Sequence, residues 1–496
     1  MKKTIILFTV LALTFVAACK KSSSDPIATP TPTSNVVEVT GDIKVNTTWS
    51  ADKIYLLKGF VYVTDNATLT IQPGTIIKGD KVTKGSLIIT RGSKISAIGT
   101  STNPIVFTSN FPSGSRQQGD WGGIIILGKA PVNQTGGEVV IEGGLLPTAG
   151  GLASKYTTYG GTDAADNSGT MKYVRIEYAG VPFVTNNEIN GLTMGGVGNG
   201  TTLEYIQVYR SGDDAFEWFG GTVNAKYLLA IGTWDDDFDT DFGYVGKVQF
   251  ALAQRVKEIA DQSGSNGFES DNDGTGTSGT PKTAPIFSNV TIVGPLASAT
   301  TSSGYNANFQ HAAQIRRNSA MSLFNSVLGN YVEGIYIDDA LPASGNKSSD
   351  NYTAGSMVIK NNLIYGSNTK YNATTAPNNG EVKGKDATSK LVFEAGLRLD
   401  NTFASSTSVS TLLTSGFAFG AEFVASGVAT PNFTVVAASA AASGALFTDA
   451  KFTGDTFFDK TVAFKGAFGT TDWSAGWAKY DPSTLDYTTP GKVMSN

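Results

Sequence analysis

The chain has 496 residues, of which 57 are Gly and 16% are charged, and its formal net charge is −5 at pH 7. This charge argues against a nucleic-acid partner. The chain contains one His and one Cys, which excludes an intrachain disulfide and disfavours both a histidine metal cage and a Ser-His-Asp triad. The length suffices for a large core, and the many Gly, Ser, Thr, Asn, Val and Ile residues favour strands and turns.

The first residues predict a lipoprotein signal peptide. A positively charged start, MKK, precedes an apolar run that is too short for a comfortable membrane span. The run ends in VAAC at residues 16–19, which resembles the bacterial lipobox, where a peptidase cleaves and the cysteine thiol receives a diacylglycerol. We therefore predict a signal peptide over residues 1–18 and lipidation of Cys19.

Residues 19–35 predict a flexible tether, because they are rich in Ser, Thr and Pro. Acyl chains would supply the membrane anchor, so a second hydrophobic span is not needed. Lys20 follows the cysteine in place of the Asp that often retains lipoproteins in the inner membrane. We therefore expect the protein at the outer membrane, on the cell surface.

From about residue 36, short β-rich runs alternate with Gly, Asn and Asp turns, and long amphipathic helices are absent. A sandwich or barrel would show short hairpin turns, whereas a parallel β-helix would show coils of roughly twenty or more residues. YIQVYRSGDDAFEWFGG, which starts at Tyr205, aligns with YLLAIGTWDDDFDTDFG, which starts at Tyr227, at an offset of 22 residues. NGFESDNDG repeats the Phe-acid pair at Phe268. This spacing favours an all-β chain folded as a parallel β-helix.

The coil pattern sets the predicted domain boundaries. We place the β-helix at residues 36–389, with its first residues as an N-terminal cap, because a solenoid needs its ends covered. Residues 390–496 lose the pattern, become rich in Ala, Ser and Phe, and predict an irregular C-terminal cap or side-packing region. We expect Trp473 and Trp477 to be buried against the coils.

The repeat would stack acidic residues of successive coils. Strands of neighbouring coils lie about 4.8 Å apart, so Glu217, Asp239 and Glu269 are expected to form one column flanked by phenylalanines. Like carboxylates at this spacing raise one another's pKa unless a cation or hydrogen-bond donors neutralise them. Ca²⁺ takes oxygen ligands from Asp, Glu and carbonyl groups and is the cation we expect. The predicted metal ligands are Asp213, Asp214, Glu217, Asp235, Asp236, Asp239, Asp241, Glu269 and Asp271.

Two other interpretations of these acids stay open: a solvated structural ladder and a catalytic cluster. Pectate lyases pair calcium-binding acids with a Lys or Arg base, and polygalacturonase-like glycosidases use two or more carboxylates. SGDD at residues 211–214 resembles the glycosidase Gly-Asp-Asp signature, but the Gly-His-Gly and Arg-Ile-Lys partners are missing, and the single His311 lies in NFQHAAQIRRN. Arg210, Arg316 and Arg317 would be lyase bases only if they faced the acids.

Two acids outside the clear repeat, Glu177 in YVRIEYAG and Glu188 in NNEINGL, are candidates to extend the acidic face. A Gly-rich phosphate loop that follows a strand and opens a helix is absent from the sequence, so we expect no nucleotide ligand.

Several motifs, among them LTIQPGTIIKGD, GDWGGIIILGKAP, GDDAFEWFGGTVNAK, GSNGFESDND and GAFGTTDWSAGW, resemble a family of β-helical secreted proteins and outer-membrane lipoproteins. This family is common in Bacteroidetes-type bacteria and is related to a spirochaete outer-membrane lipoprotein family. The resemblance covers about residues 36–485 and implies a cell-envelope location and a right-handed, pectin-lyase-like β-helix. It brings no established reaction and no catalytic residues.

Together these observations predict a lipid-anchored cell-surface protein with a binding or structural role, whose expected partner is an extracellular glycan or matrix protein. The alternative is a polysaccharide lyase or glycoside hydrolase that uses the acidic ladder.

Overall fold

Short strands of this chain pair in parallel with the strand one coil later. The computed structural model describes residues 35–184, 187–296, 303–340, 345–367, 380–404, 406–414 and 431–494. The predicted signal peptide, Cys19 and the predicted tether up to residue 34 lie outside the described residues. Within the described part of the chain, 26 strands belong to one sheet, and its pairings are parallel.

The pairings sort these strands into three faces, which follow one another along the chain in the order 1, 2, 3. Strands confined to face 1 are Ile76–Gly79, Ile105–Ser109, Val327–Gly329, Leu363–Tyr365 and Thr402–Ala404. Those of face 2 are Ser86–Ile89, Gly123–Leu127, Leu192–Gly195, Phe216–Phe219, Phe238–Asp241, Phe268–Ser270, His311–Ile315, Glu333–Ile337 and Val382–Lys383. Those of face 3 are Thr47–Trp49, Thr68–Ile71, Lys94–Ile98, Ser322–Phe324 and Ile359–Lys360.

Longer strands bend around a corner and contribute to two faces. Faces 1 and 2 share Val36–Ile43 and Ile54–Val63. Faces 3 and 1 share Gly169–Glu177, Thr202–Tyr209, Asn224–Ile231, Lys247–Gln254 and Ile286–Val293. The chain thus turns around a narrow core in successive coils.

Side chains alternate along each strand between this core and the outside, as expected for β-structure. In the face 2 strand Phe216–Phe219, Phe216 and Trp218 are fully buried in the core. Glu217 lies between them and points away from this core, although loops outside the coil leave it only 6% exposed.

Left-handed residues form a column at the corner between faces 3 and 1. Their φ angles lie between +51° and +63°, a region that most residues avoid. The column contains Tyr173, Tyr205, Tyr227, Phe250, Asn289, Asn325 and Asn361. The aromatic members stack, with 4.5 Å between the ring centroids of Tyr173 and Tyr205 and 4.3 Å between those of Tyr205 and Tyr227. Ring stacking and Asn side chains thus accompany the same strained corner in successive coils.

Residues 431–494, which we call the C-terminal segment, cover the outside of face 1. Trp477 is fully buried there, and the half-buried Trp473 contacts the ring of Tyr227 at 5.3 Å. Amide side chains of the coils bind the backbone of this segment in both directions: Gln207 donates to Lys479 O at 2.7 Å and accepts from Lys479 N at 2.9 Å. The expected burial against the coils is confirmed for Trp477, whereas Trp473 packs against the coils and is only partly buried.

The remaining elements are short. Two antiparallel hairpins are formed by Glu138–Val140 with Thr158–Gly160 and by Val181–Val184 with Asn187–Ile189. The helices are Ala153–Tyr156, Ser348–Thr353, Ala387–Leu391 and Glu394–Asp400, with 3₁₀ turns at Val409–Thr411 and Ala450–Phe452. In the part of the chain that the structure describes, none of the helices has the length and apolar character needed to cross a bilayer.

The predicted all-β parallel β-helix is confirmed. Strand Val36–Ile43, which was expected to cap the first coil, pairs in parallel with Ile54–Val63 of the next coil. The domain boundary at 389/390 stays a prediction, and strand pairing continues past it to Ala404.

Candidate functional site

Acidic side chains of successive coils stack on the outside of face 2. Parallel pairing sets Glu217 opposite Asp239 and Asp239 opposite Glu269. The aromatic residues that precede them stack in the core, with 5.8 Å between the ring centroids of Phe216 and Phe238. The column predicted from the 22-residue repeat is therefore confirmed.

The column continues with uncharged and basic residues on both sides of the acids. In strand register, the outward-facing positions of successive coils are Ile125, Thr193, Glu217, Asp239, Glu269, Gln314, Tyr336 and Lys383. Negative charge is thus concentrated in the middle of face 2.

Two groups of three carboxylates meet at the acidic part of this column. One contains Asp213, Asp214 and Asp235, and the other contains Asp214, Glu217 and Asp239. Within each group, one oxygen per residue lies within 4.8 Å of the other two. Because Asp214 belongs to both groups, these residues form one continuous cluster, which we call the acidic cluster.

Burial and mutual repulsion raise the pKa of every carboxyl group in the acidic cluster. Burial is the main cause at each position, and the charge of Asp235 adds to it at Asp213. The pKa of Asp235 is raised to about 7. Carboxyl groups in this environment are harder to ionise than in water, and a bound cation would counter that effect.

Two carboxylate oxygens of the cluster are buried without a hydrogen-bond donor among the described residues, namely Oδ1 of Asp235 and Oδ1 of Asp239. The other oxygen of Asp235 accepts a hydrogen bond from Ser263 Oγ at 3.0 Å. Buried acceptors without donors are costly in a folded protein. A hard cation with oxygen ligands would satisfy both, and Ca²⁺ takes six to eight such ligands.

Glu142 joins the acidic cluster from the loop between the face 2 strand Gly123–Leu127 and the next coil. Asn190 Nδ2 lies 3.3 Å from Glu142 Oε1 and also donates to Glu217 Oε2. Burial raises the pKa of Glu142 to about 7, and the charge of Glu188 contributes. The sequence did not indicate Glu142, because it lies outside the coil repeat. The extension of the acidic face to Glu188 stays a prediction.

Arginine residues neutralise the other end of the acidic column. Arg316 donates from Nε to Asp271 Oδ1 at 2.9 Å and from a terminal nitrogen to Glu269, and Arg317 donates to Asp271 Oδ2 at 2.6 Å. The neighbouring carboxylates of Glu269 and Asp271 raise the pKa of Arg316, against the effect of burial. Both arginines face the acids, but the raised pKa of Arg316 makes its guanidinium a poor proton acceptor for lyase chemistry.

The other predicted ligands have protein donors. Asp236 accepts a hydrogen bond from Asn266 N, and Asp241 accepts one from Phe242 N at 2.6 Å. Burial nevertheless raises the pKa of both carboxyl groups. Metal binding by Asp236, Asp241, Glu269 and Asp271 stays a prediction, and the structure does not group them with the acidic cluster.

Two further residues from the sequence analysis, Glu177 and His311, pair with other side chains outside the acidic cluster. The extension of the acidic face to Glu177 was wrong, because Glu177 lies on face 1, where its carboxylate pairs with Arg175 Nε at 3.0 Å. His311 lies 2.7 Å from Glu333 through Nδ1, and burial lowers its pKa. The single histidine therefore pairs with the buried carboxylate of Glu333.

Sequence comparison assigns the fold to a family. The sequence model of the "Pectate-lyase like beta helix domain" family matches residues 41–402. The chain belongs to this family. A solved structure similar to this pectate-lyase-like β-helix protein is the crystal structure of Dettilon tailspike protein (gp208), with 10% identity, coverage of 71% of this chain and 68% of that chain, and a TM-score of 0.22; this likeness carries no argument here. No curated protein matches the chain.

Proposed function

We propose that this β-helix protein is a lipid-anchored cell-surface protein that contacts an extracellular glycan or matrix protein through face 2, and that the acidic cluster binds Ca²⁺. The observation that carries the proposal is the sharing of Asp214 by two carboxylate groups whose oxygens lie within 4.8 Å of one another.

The charge distribution supports a bound cation. Glu217 lies among other acids and accepts a hydrogen bond from the amide of Asn190, whereas Arg316 and Arg317 pair with Glu269 and Asp271. A cation would remove the repulsion between Asp214, Glu217 and Asp239, and its binding free energy would stabilise the folded chain.

The composition of face 2 supports contact with a polar polymer. Among the outward-facing positions from Glu217 to Lys383, the side chains of Asp239, Glu269 and Lys383 are partly exposed. Glycan hydroxyl groups can pair with these carboxylate and amine groups. Face 1 lacks such a surface, because the C-terminal segment covers it.

Calorimetry with Ca²⁺ tests the cation. The parent should bind Ca²⁺, Asp214→Asn should weaken binding at least tenfold, because Asp214 serves both carboxylate groups, and Asp273→Asn should leave it unchanged. Asp273 is the matched control, because its carboxylate accepts hydrogen bonds from Thr275 and Thr277 in a local turn. An equal loss in both variants, or no heat with the parent, would remove Ca²⁺ from the proposal.

Glycan contact is tested separately on a glycan array in calcium and in chelator. Binding that depends on the partly exposed Glu269 and Lys383 and yields no cleaved product supports the proposal. Cleavage of the bound glycan would replace it with the lyase or hydrolase alternative.

Fractionation of cells tests the anchor. Cys19→Ala should move the protein from the detergent phase to the aqueous phase, because the thiol that would carry the acyl chains is gone. Retention of the variant in the detergent phase would show that the anchor is not on Cys19.

A further inference from the structure

A cavity of about 370 Å³ lies between the corner column and the C-terminal segment. This volume is at the lower end of the range typical of small-molecule sites. Its walls include the rings of Tyr205, Tyr227, Phe250, Phe464 and Trp473. Tyr205, Tyr227 and Phe250 belong to three consecutive coils, and their rings stack one on the next.

Aromatic walls favour two kinds of ligand, a neutral apolar molecule or an organic cation. A cation near aromatic rings is attracted by their quadrupoles, and this attraction is worth about 0.5–2 kcal/mol. The choice between the two kinds depends on which charged groups also line the cavity.

Asp459 is the one charged residue among those that line the cavity. Its Oδ1 accepts hydrogen bonds from Thr461 N at 2.9 Å and from Thr461 Oγ1 at 2.6 Å. These bonds, with the charge of Lys226 nearby, keep the pKa of Asp459 below its usual value. The cavity therefore combines π-electron walls with a carboxylate, and Lys226 is not among the residues that line it.

The coil holds Asp459 in place. The side chain of Gln249 donates to Asp459 O at 3.0 Å and accepts from Asp459 N at 2.7 Å. Gln249 belongs to the same strand as Phe250, so the carboxylate and one of the aromatic walls are fixed to the same rigid element. A site built in this way is preorganised for its ligand.

We propose that this cavity binds a small organic ammonium ion, with the positive nitrogen near Asp459 and its alkyl groups against the rings of Tyr227, Phe250 and Trp473. This site is separate from face 2, and its test does not depend on Ca²⁺ or glycan binding.

The test compares choline with its neutral isostere 3,3-dimethyl-1-butanol on the purified full-length chain, by calorimetry and by the fluorescence of Trp473. We expect choline to bind at least tenfold more tightly than the neutral alcohol. Asp459→Asn should weaken choline binding at least tenfold and leave the weak binding of the alcohol unchanged.

Asp481→Asn is the matched control, because Asp481 lies in the same segment, accepts hydrogen bonds from Ser483 through Oδ1, and is not part of the cavity wall. It should bind choline like the parent. Equal binding of choline and the alcohol would make the cavity an apolar slot and overturn the proposal. Absence of choline binding to a folded parent, shown by an unchanged near-UV spectrum, would overturn it as well.

Discussion

Faces 1 and 2 each carry a glutamate in a buried environment, and the two are neutralised in different ways. On face 1, Glu177 is fully buried and pairs with Arg175, and it accepts further hydrogen bonds from Tyr487 at 2.9 Å and Thr108 at 3.0 Å. On face 2, Glu217 lies among other carboxylates, and burial and their charge raise its pKa.

The difference shows that a glutamate is neutralised where the C-terminal segment packs on its face and supplies hydrogen-bond partners. The C-terminal segment supplies Tyr487 and two backbone carbonyls to the Arg175–Glu177 pair, at Trp477 and Val493. That network is complete within the chain, as a buried ion pair requires. Among the described residues, the acidic cluster of face 2 has no comparable set of donors, and its carboxylates would need protons or a cation.

The largest effect is expected from breaking the pair on face 1. Arg175→Met should lower the free energy of unfolding by about 3–5 kcal/mol, because it leaves Glu177 buried without its cation. Urea unfolding of parent and variant measures the change. A loss as small as that of an exposed pair would show that the network with Tyr487 does not depend on the guanidinium.

The second largest effect is a pH dependence set by face 2. In chelator, we expect the free energy of unfolding to fall on the order of 2 kcal/mol between about pH 4 and about pH 8. Carboxyl groups whose pKa is higher in the folded chain bind more protons there, so their stabilisation is present at low pH and lost as the pH rises through the folded values, about 7 for Asp235 and about 8 for Glu269. Stability that stays level across this range would contradict the raised pKa values.

A smaller change should follow from removing one charge of the acidic cluster. At pH 8 in chelator, Asp214→Asn should raise the free energy of unfolding on the order of 1 kcal/mol, because the amide keeps the acceptor for Asp236 N and removes the repulsion. Asp273→Asn is expected to change stability in the opposite direction, because it weakens a charged turn acceptor. Thermal and urea unfolding of both variants would test this contrast, and destabilisation by Asp214→Asn would count against repulsion in the cluster.

The smallest effect on stability is expected at a more exposed ion pair, which, like the pair on face 1, joins a basic side chain to a glutamate. Lys58 lies 2.6 Å from Glu38, and the side chains are 35% and 58% exposed. Lys58→Met should change the free energy of unfolding by about 0.5 kcal/mol or less, since exposed pairs contribute little. A change comparable with that of Arg175→Met would mean that burial is not what separates the two pairs.

The acidic column could be predicted because it follows from the repeat. An offset of 22 residues between Tyr205 and Tyr227 fixes which residue of one coil lies beside which residue of the next. Alternation then sends Phe216 inward and Glu217 outward, and the same holds one coil later. Local sequence was sufficient here because the neighbours in space are neighbours in the repeat.

The partners of that column could not be predicted in the same way. Glu142 and Asn190 reach the acidic cluster from segments outside the aligned repeat, and Arg316 reaches Glu269 from the coil that follows it. The cavity beside Asp459 also joins residues more than two hundred positions apart, held by Gln249. Sequence spacing carries no information about such contacts.

The sequence by itself therefore determined the all-β parallel β-helix, the stacking of Glu217, Asp239 and Glu269, and the burial of Trp477, because periodic side chains and a regular strand spacing decide these features. Only the tertiary structure decided which carboxylates are neutralised. Glu177 gained Arg175 and Tyr487 because the C-terminal segment folds back over face 1, whereas the acidic cluster gained Glu142, another acid, from an inserted loop. Charge compensation depends on distances between segments far apart in the chain, and only the folded chain sets those distances.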